Sequence, residues 1–194
     1  EVKAQPQHGE LKKAPQFLKG DVCCLELGQT FDAVTMMFAV LGYQLTNLDL
    51  ICTLGTIRKH LKPGGLFIFD VWYGPAVLAI RPGDKIKEIA TADGKMIRMA
   101  SGTLDVARHL CQVDYRLLKI SANSVVRDST ENHTMRYFFP MELDMMLSFN
   151  NLKLQSLTAF HDPEKPADET TWNVLGVAMA TGLNEASGLG RNIK

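Results

Sequence analysis

The sequence predicts an α/β fold carrying an antiparallel β insertion, on three observations. Residues 31–38 and 66–72 are apolar runs separated by one amphipathic helix and a Pro-Gly-Gly stop. Such unbroken runs belong to strands of a parallel sheet, whereas half-solvated strands alternate. Residues 84–138 then change character around Asp93-Gly94, a strong short hairpin signal. Finally, a short helix leads into two more strand-like segments, 152–160 and 172–180.

Taken in order, "HGELKKA" (8–14) reads as the end of a helix stopped by Pro15. "QFLKGDV" (16–22) reads as a short strand ending at Gly20 and Asp21. "FDAVTMMF" (31–38) is expected to be a strand covered on both faces. Thr46 and Asp49 have the spacing of a capping box, so a helix starts there. Leu50, Leu54, Ile57 and Leu61 recur at steps of three and four and give it one apolar stripe. Arg58, Lys59, His60 and Lys62 crowd its last turn, where cations suit the helix dipole. Pro63, Gly64 and Gly65 end it, and "LFIFDVW" (66–72) follows as a buried strand. Strand, helix and strand make one right-handed crossover unit.

Beyond it, "KIKEIAT", "KMIRMAS", "HLCQVDYRLLKI" (109–120) and "HTMRYFF" (133–139) form an excursion of three or four strands. Pro140 opens the next helix, where its missing N–H is of no consequence. "LKLQSLTAF" (152–160) alternates as a strand, "HDPEKPADET" is a polar loop, and "WNVLGVAMA" (172–180) is the last strand. The division expected is a core over 1–83, an insertion over 84–139, and a return helix with a final antiparallel strand pair over 140–180. Residues 181–194 form a polar tail expected to fray.

A chain of 194 residues suits one domain. Its 21 basic and 21 acidic residues balance, which argues against a surface built to neutralise nucleic-acid phosphates. Cys23, Cys24, Cys52 and Cys111 lack zinc-ligand spacing, as do His8, His60, His109 and His161, so no metal is expected. Free thiols suit a reducing cytoplasm. No run reaches the roughly 18–20 apolar residues of a membrane span, and residues 1–16 lack the apolar core of a secretion signal.

The segments "FLKGDV", "FDAVTMMFAVLGY", "LKPGGLFIFDVW" and "LKLQSLTAF … WNVLGVAMA" together resemble class I S-adenosylmethionine-dependent methyltransferases, over roughly residues 8–180. "HTMRYFFPMELDMML" is similar to small-molecule members with a sheet inserted after the fifth strand, including amino-sugar N-methyltransferases. The resemblance implies a Rossmann-like sheet, S-adenosylmethionine as cofactor, and methyl transfer to a nitrogen or oxygen of a small molecule. It implies that Asp21 accepts a hydrogen bond from the adenine amino group and that Val22 offers its N–H to the ring. Met37, Phe38 and Ala39 would pass the methionine part of the cofactor, and Trp72 and Tyr73 would face the substrate. Ligands of open α/β sheets do bind at the C-terminal ends of strands.

The family's Gly-rich loop after its first strand has no counterpart before residue 16. The N-terminal strands are therefore expected to be missing, with Glu1 in place of an initiator methionine pointing to truncation. The open strand edge left behind would favour dimerisation. The rival reading is an inactive methyltransferase-like module acting in protein interaction or regulation. Another dinucleotide-type enzyme is disfavoured, because no G-x-G-x-x-G occurs.

Each candidate has a plainer reading beside it. Asp21 is a cofactor ligand or a simple Asp turn. Tyr43 caps the pocket or packs, and Trp72 and Tyr73 line a ligand or form a structural aromatic cluster. Asp70 is a buried-acid candidate within its strand, or faces a loop amide. His133 suits a general base if the acceptor must lose a proton, or lies at a strand start on the surface. Arg136 holds an anionic group of the substrate, or makes an ion pair on the sheet face.

Overall fold

The computed structural model of the chain describes residues 14–182. The helix expected over 8–14 and the tail expected over 181–194 lie outside the described residues, apart from positions 14, 181 and 182. In chain order the elements are β1 (Phe31–Met36), α1 (Asn47–Lys59), β2 (Leu61–Trp72) and α2 (Gly74–Ile80), with a 3-10 turn over Val40–Tyr43. There follow β3 (Lys85–Thr91), β4 (Gly94–Asp105), β5 (Leu110–Ser121) and β6 (Ser124–Arg136). The chain closes with α3 (Pro140–Phe149), β7 (Leu152–Ala159), β8 (Asp162–Pro166) and β9 (Asn173–Ala180).

The strands form a five-stranded sheet of order β1-β2-β9-β7-β8 and a four-stranded meander β3-β4-β5-β6. β1 and β2 pair parallel, as the crossover requires, while β9 runs antiparallel to both β2 and β7. The capping box of α1 is present: Thr46 Oγ1 accepts from the Asp49 N–H at 3.1 Å, and Asp49 Oδ2 accepts from the Thr46 N–H at 3.4 Å. Leu50, Leu54 and Ile57 of α1, with Leu143, Met146 and Leu147 of α3, pack on Phe67, Phe69 and Val71 of β2. Phe67 and Phe69 stack within this core at 4.6 Å between centroids.

Among the described residues the other face of this sheet is left open. Alternation along the strands puts Ala33 and Thr35 of β1, Leu66 and Ile68 of β2, and Val177 and Met179 of β9 on it. Ala33, Thr35 and Leu66 are exposed and the rest half-buried. The described residues thus do not cover 31–38 on both faces as expected. An unbroken apolar run reflects the absence of charge, and that does not by itself supply a second layer. Among the described residues β1 has a strand partner on one edge only.

Residues 16–22 form no strand: they run as irregular chain, with Phe17 93% exposed. No described strand offers them a backbone ladder. The segment is fastened further on, where the Leu27 N–H donates to His60 Nε2 at 2.9 Å. In β2 the register jumps from Phe31↔Leu61 to Ala33↔Leu66, so residues 62–65 bulge out where the helix stop was expected.

The meander has four full strands. Its first turn falls on Ala92-Asp93 instead of Asp93-Gly94, and Gly94 opens β4 at φ +149. Glycine is required there because a Cβ would lie 2.1 Å from the Ile120 carbonyl oxygen. The second turn, Ala122-Asn123, has positive φ at both residues, the requirement of a tight I′-type hairpin. The expected loop 161–170 contains the short edge strand β8, bounded by polar and proline residues as edges tolerate.

The core constrains β9 at one point. A Cβ on Gly176 would lie 2.3 Å from Phe69 Cζ. Gly176→Ala is expected to destabilise the chain by about 1–3 kcal/mol, read as a lower denaturant midpoint with an unchanged far-ultraviolet spectrum. An unchanged midpoint would show that the Phe69 ring yields freely.

Candidate functional site

The site is built at the C-terminal ends of β1 and β2. The chain leaves β1 through Met37 and then takes two left-handed residues, Phe38 at φ 67 and Ala39 at φ 56. Each such residue costs about 1–3 kcal/mol and persists only when its surroundings fix it. Here the Ala39 N–H donates to Asp70 Oδ2 at 2.9 Å, in a fully buried bond. Asp70 itself is 3% exposed. The tie turns the chain into Val40–Tyr43, burying Leu41 completely. Gly42 lets this turn approach β6, since a Cβ would stand 3.0 Å from the Arg136 carbonyl oxygen.

Tyr43 is thereby delivered to the insertion. Its hydroxyl and His133 Nδ1 are 2.9 Å apart, and His133 Nε2 lies 3.5 Å from Glu131. His133 also meets the edge of Tyr115 at 5.8 Å, and the Arg98 guanidinium lies 5.4 Å from the Tyr115 ring centre. Two candidates chosen from separate parts of the sequence, Tyr43 and His133, are brought together.

Trp72 and Tyr73 end β2 beside the N-terminal end of β9. Trp72 meets Trp172 edge-to-face at 5.6 Å, and the Tyr73 N–H donates to the Trp172 carbonyl at 2.9 Å. Burial pushes the Tyr73 hydroxyl pKa up, and Glu169 and Asp168 add to it. Between the two tryptophans and the insertion lies a cleft of about 170 Å³ that includes Lys85, Arg98, Val113 and Tyr115. In the register, Val113 stands opposite both Gly102 and His133, and Tyr115 opposite Ala100. His133 therefore shares the sheet face that lines this cleft. A larger hollow of about 620 Å³, with Ile86, Met99 and Arg116 among its walls, adjoins the cleft and shares Lys85, Ala100, Ser101 and Tyr115 with it. Arg116 there is already gripped by Asp128 through two bonds of 3.1 and 2.7 Å.

The remaining candidates divide. Arg136 is buried on the sheet face opposite His133. Its guanidinium bonds Glu142 and, at 2.7 Å, Asn47 Oδ1, and lies 5.5 Å from the Phe138 ring centre. It is an ion pair tying β6 to α3, and Glu142 also meets His109 Nδ1 at 3.2 Å. Asp21 is exposed, and its Oδ1 accepts from the Cys23 N–H at 2.9 Å, an Asp turn. That turn is seated by Cys23 Sγ, 3.4 Å from Thr53 Oγ1 and 3.5 Å from Gln44 Oε1. Asp21 and half-buried Val22 thus border the end of the turn that carries Tyr43. Met37 is half-buried, Ala39 buried and Phe38 86% exposed. Among the described residues no group of three or more His, Cys, Asp or Glu side chains is placed to hold a metal.

Sequence reasoning missed Trp172, Arg98 and Tyr115; that Asp70 faces a loop amide was among its readings, and the amide is that of Ala39. Trp172 was accessible to it, because the start of an antiparallel strand lies beside the C-terminal end of its parallel neighbour. Arg98 and Tyr115 depend on a register that a meander's sequence does not fix.

No protein-family model matches the chain. A curated N,N-dimethyltransferase of dTDP-3-amino-3,4,6-trideoxy-α-D-glucopyranose from Streptomyces venezuelae is 23% identical over 139 residues, 72% of this chain and 57% of the relative. A crystal structure of an S-adenosylmethionine-dependent methyltransferase from Clostridium acetobutylicum matches with TM-score 0.74 and 17% identity, over 87% of this chain and 66% of the neighbour. The fold is that of the S-adenosylmethionine-dependent methyltransferases. An amino pentose methyltransferase from Micromonospora echinaspora, solved with S-adenosylmethionine bound, has the same fold at TM-score 0.68 and 20% identity, over 84% of this chain and 63% of its own. The chain spans little more than half the length of the curated relative, 57%. The Rossmann-like sheet and its β insertion are those of this methyltransferase fold. No described helix is long and apolar enough to cross a membrane.

The loop before Trp172 is held by a carboxylate. Asp168 Oδ1 accepts from the Thr170 N–H at 2.9 Å and from the Thr170 and Thr171 hydroxyls at 2.6 and 2.8 Å. With Lys165 beside it, these bonds hold the Asp168 carboxyl far below the usual carboxylate range. A folded-state pKa below the unfolded one contributes stability above the unfolded value, near pH 4, that is lost as pH falls through the folded value. On acidification from about pH 4 towards 2, tryptophan emission is expected to report loosening of Trp172. Asp168→Asn should show part of that change already at neutral pH, whereas identical acid titrations of the two proteins would contradict the assignment.

Proposed function

We propose that the chain is part of an S-adenosylmethionine-dependent methyltransferase that methylates an amine of a small molecule. The observation that carries the reading is the Tyr43–His133 contact, which joins the strand-end turn of the core to the insertion beside an aromatic cleft. Bound S-adenosylmethionine would supply an electrophilic methyl group on its sulfonium.

The protein's part is binding and orientation, which can supply most of the acceleration of an in-line displacement. Asp21 would read the adenine amino group with Oδ2, since Oδ1 is taken by Cys23, and Val22 would offer its N–H. The left-handed turn Met37–Ala39 would border the methionine part, with buried, small Ala39 permitting close approach. Trp72 and Trp172 would cover the flat face of a ring, with Tyr73 beside them. Glu131 favours the proton on His133 Nε2, so Nδ1 would accept from the Tyr43 hydroxyl and draw the acceptor's proton through it. General base help of this kind is worth about 10²–10⁴-fold.

The substrate reading rests on the cleft's charge. Lys85 and Arg98 line it without an acidic side chain, which suits an anionic arm. The Streptomyces relative is named for an amino sugar carrying a dTDP group, which combines such an arm with an amine. Arg136, committed to Glu142 and Asn47, has no place in this scheme. Among the described residues the outer edge of β1 has no strand partner, which suits self-pairing, the route to a homodimer. The protein would work in the cytoplasm, free of membrane and nucleic acid.

The test is transfer of a labelled methyl group from S-adenosylmethionine to that amino-sugar nucleotide. His133→Ala and Tyr43→Phe should each lower kcat by about 10²-fold or more with little change in KM. Wild-type rates in both variants would remove the proton-transfer role. No transfer by a chain that binds S-adenosylhomocysteine would favour a non-catalytic module.

A further inference from the structure

Asp70 is the least satisfied charged group in the site. Its Oδ2 holds the Ala39 N–H, but Oδ1 is buried with no hydrogen-bond partner, and no described cation lies within salt-bridge distance of the carboxylate. A buried carboxylate oxygen left unpaired carries its full desolvation cost, so it calls for a donor. Its strand, β2, connects the two walls described above. On one side Asp70 fixes the turn assigned to the cofactor. On the other, strand alternation puts it on the same sheet face as Trp72, two residues on and part of the cleft.

We propose that Asp70 Oδ1 is the recognition point for the acceptor's amine, accepting an N–H from the nitrogen to be methylated. This deepens the function proposed above and rests on it. One carboxylate would then set both partners of the reaction, holding the cofactor-side turn through Ala39 and the acceptor through Oδ1. A neutral hydroxyl in the amine's place makes a weaker bond to a carboxylate than an ammonium does, because only the ammonium adds a full opposite charge to the hydrogen bond. Asp70 thereby makes the site selective for amines over alcohols. The preference belongs to binding, so it is measurable without turnover.

The experiment is calorimetric titration of the full 194-residue chain with two ligands. One is the dTDP-amino sugar for which the Streptomyces relative is named; the other is the same sugar nucleotide with a hydroxyl replacing the amine. Wild type should prefer the amine by about tenfold, or 1.4 kcal/mol. Asp70→Asn keeps an oxygen for Ala39 and should lose that preference, while slow exchange of the Ala39 amide shows that the turn survives. A preference retained in Asp70→Asn would overturn the proposal and assign the free oxygen to water.

A second measurement needs no variant. In wild type the Asp70 carboxyl carbon resonance should move on adding the amine ligand and stay put with the hydroxyl ligand. No movement with a bound amine would also overturn it. If wild type binds S-adenosylhomocysteine but neither sugar, the substrate reading falls and this proposal with it. Failure confined to Asp70 leaves the methyltransferase reading intact.

Discussion

The hydrogen bond from the Ala39 N–H to Asp70 Oδ2 is the constraint on which the rest of the site depends. Two consecutive left-handed residues without glycine are unfavourable, and a buried charge-assisted bond is among the few local interactions strong enough to offset them. From that fixed turn follow the burial of Leu41, the close approach of Gly42 to β6, and the delivery of Tyr43 to His133. Releasing the turn would separate the core from the insertion at the point where the chemistry is proposed. The strain is local, and its consequence reaches the other sheet.

The second device is topological. Reversing β9 between β2 and β7 puts its first residues beside the last residues of β2. Trp172 is thereby set against Trp72, and the Asp168 loop that precedes it becomes part of the pocket's frame. The insertion meets this corner with the face that carries Arg98, Val113, Tyr115 and His133. On its other face Arg116 and Asp128 neutralise each other. The asymmetry explains why the smaller cleft, and not the larger hollow, is the candidate site.

Much of the frame was legible in the sequence because local signals agreed with one another. Thr46 and Asp49 cap α1, Pro140 opens α3, and the leucine stripe names the core face. The strand 16–22 failed because a β-like composition does not supply a partner strand. The described residues cover 31–38 on one face only, for a related reason: coverage is a property of neighbouring layers. In the site, Tyr43 and His133 were readable singly, but their contact spans ninety positions and required the fold. Arg136 carried two readings because a single arginine before an aromatic run reads alike as an anion ligand or a structural pair; Glu142, one turn into α3, supplies the pair.

The most direct test of the central claim is where an adenosyl ligand touches the chain. Adding S-adenosylhomocysteine to isotopically labelled protein should shift the amide resonances of Val22, Met37, Phe38 and Ala39, leaving Ile86, Met99 and Arg116 on the outer hollow unmoved. Shifts confined to the outer hollow, or none in a folded chain, would contradict the claim that the ends of β1 and β2 form the methyl donor's wall.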